Sequence, residues 1–218
     1  MILTVGGQKG GSGKSCMAQN LSVALAQNGQ SVMLIDADPQ RTSADWAEER
    51  ALQKNATGLK FQAMSGDISD TTLALSKAYD HIVIDCGGRD TKELRSAMII
   101  ADVFLVPLRP KRRDLKTLDY VSNLVDQSRI ANRSMTALAV VTQAPTLPNQ
   151  AQRILDAKSV ASSFGLPPLQ SVIYTRNVYD DCEEAGLSVF EAEDEKAKEE
   201  VTAVLQEIMT RLEAQNAQ

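Results

Sequence analysis

At 218 residues, 43% of them apolar and 23% charged, the chain has the size and composition of one α/β domain with a sizeable core, without a visible linker. No apolar run approaches a membrane span, the N-terminal run stops at Val5 without forming a signal peptide, and Cys16, Cys86 and Cys182 are too scattered for a disulfide framework or zinc site. The expectation is a cytoplasmic protein folded as a single domain over residues 1–218; its net charge of −5 excludes a uniformly basic surface but not a local basic face.

The first apolar run, Ile2 to Val5, leads into Gly6-Gly7-Gln8-Lys9-Gly10-Gly11-Ser12-Gly13-Lys14-Ser15. Gly10, Gly11 and Gly13 let the backbone curl with N–H groups inward, and a helix beginning near Lys14 adds its positive end, so triphosphate oxygens find donors there. Lys14 can reach the β- and γ-phosphates and Ser15 can hold Mg²⁺. Gln8 stands where the strict pattern has glycine, but the order of strand, loop, Lys-Ser and helical pattern (Met17, Leu21, Ala24, Leu25) is the one the mechanism needs. On composition alone Lys9 is a solvated loop lysine. Cys16 stands in the first helical turn, where the dipole favours a thiolate, though packing is its simpler role.

Val32 to Ile35 reads as the next strand and ends in Asp36-Ala37-Asp38-Pro39-Gln40. Short continuous apolar runs alternating with helical stretches indicate a parallel sheet covered on both faces, with its ligand crevice at the carboxyl ends of the strands. A carboxylate at such an end can orient the water that attacks a γ-phosphate; the alternative is a turn or helix cap. A helix is expected from Ser43 to about Ala56 with Trp46 as packing, a weak strand over Lys60 to Met64, and a helix over Asp67 to Ala78 with Ile68, Leu73 and Leu75 inward. His81 to Asp85 is an apolar strand closed by a carboxylate suited to Mg²⁺, and Cys86-Gly87-Gly88 follows as a segment able to respond to the γ-phosphate. His81 reads as structural.

Val103 to Pro107 is a further buried strand. Residues 109–116 then hold five cations (Arg109, Lys111, Arg112, Arg113, Lys116) against Asp114, and Leu115, Leu118, Val121, Leu124 and Val125 mark an amphipathic helix. Ala137 to Thr142 forms a strand ending in Thr142-Gln143. Asn149 to Phe164 forms a helix with Arg153 and Lys158 exposed by period, stopped by Gly165-Leu166-Pro167-Pro168. A strand and loop follow over Val172 to Tyr179, and an acidic helix over about Asp194 to Leu212. Residues 183–218 carry ten acids and three bases, leaving 1–182 with 20 bases and 18 acids, so the negative charge concentrates in a solvated tail helix.

Lys9-Gly10-Gly11-Ser12-Gly13-Lys14-Ser15 resembles the deviant Walker A motif of the ParA/MinD ATPases, Asp36-Ala37-Asp38-Pro39-Gln40 and the Walker B strand ending at Asp85 are similar to further family signatures, and Val172 to Tyr179 with Gly186 to Glu191 resembles the short plasmid-partition ParA proteins. The resemblance implies a P-loop NTPase fold, a mostly parallel twisted sheet with helices on both faces, binding ATP and Mg²⁺. It implies catalytic roles for Asp38 (water positioning), Lys14 and Lys9, the last reaching across a nucleotide-sandwich homodimer. Nucleotide contacts fall on Lys9 to Cys16, with Thr142 and Gln143 toward the adenine and Thr175 in the loop that closes the pocket; Mg²⁺ falls to Ser15, Asp36 and Asp85. The family commonly has threonine at position 16 and Asp-x-Pro-Pro at Asp85 to Gly88, so this chain departs there.

By the same resemblance the ATP-bound dimer binds double-stranded DNA without sequence preference through Arg176, Arg153, Lys158 and the Lys111, Arg112, Arg113 cluster, associates with the nucleoid, and is switched off by a small centromere-binding partner of the ParB or ParG kind. The chain begins on its first strand, so no N-terminal DNA-binding extension is expected. An ATPase that positions a protein assembly is the alternative. A MinD-like membrane ATPase is disfavoured by the acidic C-terminal helix, an iron–sulfur carrier by the cysteine spacing, and a small-molecule kinase or ligase by Lys9 and Asp38-Pro39-Gln40.

Overall fold

A computed structural model describes residues 1–216. Seven strands form one sheet: β1 (Ile2–Val5), β2 (Val32–Ala37), β3 (Lys60–Ala63), β4 (His81–Cys86), β5 (Val103–Leu108), β6 (Thr136–Ala144) and β7 (Pro168–Tyr174). Their order is β3-β2-β4-β1-β5-β6-β7 and every neighbouring pair is parallel. Strands β1, β2, β4 and β5 are buried along their whole length, which is why their sequences read as continuous apolar runs and not as alternating ones.

Helices cover both faces. Against one lie α1 (Lys14–Gln27), α2 (Thr42–Arg50), α8 (Asn177–Glu184) and α9 (Glu195–Asn216), burying Met17, Leu21, Trp46, Tyr179, Val201 and Leu205 on Leu3, Leu34 and Leu105. Against the other lie α3 (Ser69–Leu75), α4 (Lys92–Ile100), α6 (Leu118–Arg129) and α7 (Ala151–Ser163), burying Ile68, Leu94, Met98, Leu124 and Ile154 on Ile35, Ile84 and Phe104. A one-turn helix, α5 (Arg112–Leu115), precedes α6 and packs beside α7. Chain connections leave β1 toward β2 and β4 toward β5 in opposite directions, so the carboxyl ends of β1 and β4 form the crevice at which α/β sheets bind ligands.

Several expectations are corrected. The helix after Asp38-Pro39-Gln40 ends at Arg50, not near Ala56, and α3 is limited to Ser69–Leu75. Leu73 is 44% exposed, because the inward side of this short helix is taken by Ile68, Thr72 and Leu75. Helix α4 was not expected; Thr91 caps it by accepting from the Leu94 N–H at 3.2 Å. Strand β2 extends to Ala37, placing Asp36 inside the sheet. Strand β7 begins at Pro168, and the expected loop after it turns at once into α8. Lys158 is half-buried and donates to the Gln170 carbonyl at 2.6 Å.

Candidate nucleotide site

The phosphate loop joins β1 to α1 at the carboxyl edge of the central strand. Gly13 caps α1 with φ 83°, a left-handed conformation that favours glycine, and a Cβ there would stand 3.8 Å from the Thr142 side chain. Gln8, by contrast, has no positive φ, so a side chain is tolerated where the strict pattern has glycine. Two residues at the end of β6 brace the loop: Thr142 Oγ1 donates to the Ser12 carbonyl at 2.8 Å and Gln143 Nε2 to the Gly11 carbonyl at 3.0 Å. Gln143 does so from φ 46°, a conformation a non-glycine residue keeps only when its surroundings impose it.

Lys14 is buried, and its Nζ donates to the Lys9 carbonyl at 2.9 Å. Burial lowers its pKa, opposed by the Asp85 and Asp38 carboxylates. Lys9 is exposed and, among the described residues, its ammonium has no ion pair. Asp38 is half-buried; its Oδ1 accepts from the Gln40 N–H at 3.0 Å. A Cβ at Gly87 would stand 3.1 Å from the Asp38 carboxyl carbon, and one at Gly88 would stand 3.4 Å from Lys14 Nζ. The Gly-Gly pair after β4 is therefore the floor between the lysine and the aspartate, and side chains there would intrude on both.

Asp85, at 0% exposure, is the most perturbed carboxylate of the site. Burial pushes its pKa up to about 7 against the Ser43 and Ser15 hydroxyls and the Lys14 charge, which favour the ionised form. Ser43 Oγ donates to its Oδ2 at 2.7 Å, while Oδ1 has no hydrogen-bond partner. An orphaned, desolvated carboxylate oxygen beside the Ser15 hydroxyl and the phosphate loop fits a divalent cation. Among the described residues no group of three or more His, Cys, Asp or Glu side chains could hold a metal by itself, so a cation here would need oxygens from outside the chain, water or phosphate, to complete its shell. Asp36 has both oxygens engaged, accepting from the Asp38 N–H at 2.9 Å and the Ala44 N–H at 2.7 Å, and burial raises its pKa. It shapes the loop and the start of α2.

Lys9, Lys14, Ser15, Asp38, Gly87, Gly88, Thr142 and Gln143 line a cleft of about 1150 Å³, and Asp36 and Asp85 are buried in the adjoining strands. Residues 3–184 match the CobQ/CobB/MinD/ParA nucleotide binding domain. The chain belongs to this family. It is 29% identical over 213 residues, 95% of each chain, to the maintenance of carboxysome distribution protein A of Halothiobacillus neapolitanus. MinD of Aquifex aeolicus shares the fold with a TM-score of 0.75 at 17% identity over 96% of each chain. A plasmid partition protein of Borrelia burgdorferi bound to AMPPNP does so with a TM-score of 0.73 at 20% identity, over 96% of this chain and 98% of that one.

The family's cleft here extends past α1 to residues that sequence reasoning did not single out: Tyr179, Asp180 and Glu183 on α8, and Arg89 and Asp90 after Gly88. Their spacing at i, i+1 and i+4 on one helix was the available signal for the first three. Thr175 lines the same end, and Cys16 stands there with its thiol pKa raised by burial and then by Glu183 and Asp180, opposite to the shift a helix dipole would give. Arg176 also borders the cleft but is committed, its Nε and Nη2 donating to Glu200 Oε1 at 2.8 and 2.6 Å. Arg109 is committed to buried Asp114 at 2.7 Å. Lys111, Arg112, Arg113, Lys116 and Arg153 are exposed and, among the described residues, unpaired. None of the described helices is long and apolar enough to cross a membrane.

Proposed function

We propose that the chain is an ATP-hydrolysing positioning switch whose ATP-bound homodimer holds to double-stranded DNA and lets go after hydrolysis. The observation that carries this reading is the arrangement of Lys14 and Asp38 around the floor of Gly87 and Gly88, with a Cβ at Gly87 3.1 Å from the Asp38 carboxyl carbon and one at Gly88 3.4 Å from Lys14 Nζ. Inward N–H groups of Gly10 to Ser15 and the Lys14 ammonium bind the β- and γ-phosphates, with Lys14 exchanging the Lys9 carbonyl for phosphate oxygen. Ser15 and Asp85 would hold Mg²⁺, which when bound neutralises charge on the bridging phosphates. The Asp38 oxygen not held by the Gln40 N–H orients a water toward the γ-phosphate. Exposed Lys9 extends to the phosphates of a second copy, so ATP joins two subunits. Lys111, Arg112, Arg113 and Arg153, presented twice by the dimer, contact DNA phosphates, and a partner that stimulates hydrolysis ends the bound state.

The cargo is either a DNA molecule, through a small centromere-binding partner, or a protein assembly. The protein assembly is favoured by the 29% identity to the carboxysome distribution protein over 95% of each chain, against 20% to the plasmid partition protein. Two variants test the switch. Asp38→Ala should bind ATP and accumulate as a DNA-bound dimer, whereas Lys9→Ala should bind nucleotide yet stay monomeric, both read by light scattering with ATP, ADP and no nucleotide. Hydrolysis at the wild-type rate by Asp38→Ala refutes the catalytic assignment, and equal duplex binding in all three nucleotide states refutes the switch.

A further inference from the structure

Ser43 is the second residue of α2, fully buried, and its hydroxyl serves no backbone group. Its Oγ accepts from Gln19 Nε2 on α1 at 3.4 Å and donates to Asp85 Oδ2 on β4 at 2.7 Å. Because Gln19 occupies a lone pair of the hydroxyl, the hydrogen is directed at the carboxylate. The next residue, Ala44, gives its N–H to Asp36 Oδ2 at 2.7 Å, and Asp36 and Asp85 are register partners on adjacent strands. Two buried carboxylates thus grip consecutive residues at the start of α2. The other Asp36 oxygen accepts from the Asp38 N–H at 2.9 Å, so the loop of residues 38–42 is fixed at both ends.

Building on the nucleotide-site reading above, we propose that Ser43 is a positioning residue which locks Asp85 Oδ2 so that Oδ1 faces the cation and ties that carboxylate to the Asp38 loop. One hydrogen bond would then set the cation ligand and the hydrolytic aspartate together. The geometry explains why Asp85 Oδ1 is fully buried yet unpartnered while Oδ2 is held: a carboxylate free to turn about its last bond would present neither oxygen reliably. Gln19, at 1% exposure, supports the hydroxyl from behind.

The test compares wild type, Ser43→Ala, Ser43→Thr and Gln19→Ala. The measurements are the Mg²⁺ concentration that half-saturates binding of a fluorescent ATP analogue, binding of the same analogue in EDTA, and kcat. Outer-shell partners of metal ligands are worth about 10–100-fold in affinity or activity. Ser43→Ala should therefore raise the half-saturating Mg²⁺ at least tenfold and lower kcat to a similar extent, with binding in EDTA within twofold of wild type. Ser43→Thr, which keeps the hydroxyl, should restore both, and Gln19→Ala should shift Mg²⁺ in the same direction by less. An unchanged Mg²⁺ requirement in Ser43→Ala overturns the role, as does a loss that is equal in EDTA, which marks general damage. If Ser43→Ala does not fold, an unchanged Mg²⁺ requirement in Gln19→Ala overturns it. Absence of Mg²⁺-dependent binding by wild type would remove the nucleotide-site reading itself, a different result from normal wild-type binding with an indifferent Ser43→Ala.

Discussion

Asp85 should make the empty protein less stable, and its replacement by asparagine shows by how much. The carboxyl is fully buried with one oxygen unpartnered, and burial lifts its pKa to about 7 from an ordinary value near 3.8. A folded-state pKa above the unfolded one means that the folded protein holds the proton more tightly. Stability from this group is therefore full below the unfolded pKa, declines as pH rises toward the folded pKa, and is lost above it. The slope is about 1.4 kcal/mol per pH unit inside that window and halves at the folded pKa, so from pH 5 to pH 7 wild type should lose about 2.3 kcal/mol that Asp85→Asn does not lose. At a sensitivity of about 2–4 °C per kcal/mol for a chain of this size, the melting temperature of the variant should gain roughly 5–9 °C on wild type across the interval. Thermal and urea unfolding of both proteins in EDTA without nucleotide, in half-unit pH steps from 5 to 8.5, gives the difference directly. Other titrating groups cancel between the two proteins. A gap that stays constant with pH refutes the reasoning, because a buried carboxyl titrating near neutrality must change it. With Mg-ATP the order should reverse, since the cation rewards the ionised form and asparagine cannot replace it.

Two further outcomes follow from packing. Gly87→Ala places a methyl 3.1 Å from the Asp38 carboxyl carbon without backbone strain, so the carboxylate must shift by a few tenths of an ångström; hydrolysis should fall about tenfold while the analogue dissociation constant changes little, as steady-state kinetics and fluorescence titration would show. Glu191 bridges Arg50, the Thr57 N–H and the Ser188 N–H between α2 and the segment before α9, and although burial raises its pKa these partners outweigh it and leave it lowered. Glu191→Gln should destabilise by roughly 3 kcal/mol at pH 7, and the gap to wild type should narrow as pH falls below the ordinary glutamate value of 4.5 and through the lower folded-state one, where the carboxylate is at last protonated; urea unfolding across a pH series checks it.

The phosphate loop was legible because its chemistry is local: Gly10 to Ser15 supply the turn, the donors and the lysine within a few residues. The carboxylates of β2 and β4 were legible for a similar reason, each closing an apolar run. What escaped was the choice of partners across the fold. Ser43 reads as an ordinary first-turn serine until it meets Asp85, 42 residues away, and Arg176 reads as a free cation until it meets Glu200, 24 residues away. Helix α4 follows directly on the glycine segment, and its apolar face (Leu94, Ala97, Met98) is too short to stand out from the loop before it. Leu73 failed for the converse reason, since an apolar pattern places it inward but the inward stripe runs through Ile68, Thr72 and Leu75, with a polar residue in the buried position beside it.

These partner choices also reshape the electrostatics. A cation already held by a buried or half-buried carboxylate must break that pair before it can neutralise a DNA phosphate, and the carboxylate left behind repels the same phosphate. Arg176, with side-chain exposure of 22% against 10% for Glu200, is in that position, as is Arg109 with Asp114. The C-terminal acids are therefore not only a solvated tail. Glu200 accepts from the Tyr174 N–H at 3.1 Å, and Glu207 accepts from the Gln170 and Ser171 N–H groups at 2.8 and 2.9 Å, so α9 satisfies the free edge of β7 with carboxylates. Of the cations assigned to DNA and the cluster they belong to, that leaves Lys111, Arg112, Arg113 and Lys116 around α5, with Arg153 on the adjoining α7, free to meet phosphate among the described residues. In the proposed switch the salt slope of duplex binding then belongs to this group, and Arg176 acts at the cleft, where its pair with Glu200 links the end of β7 to α9.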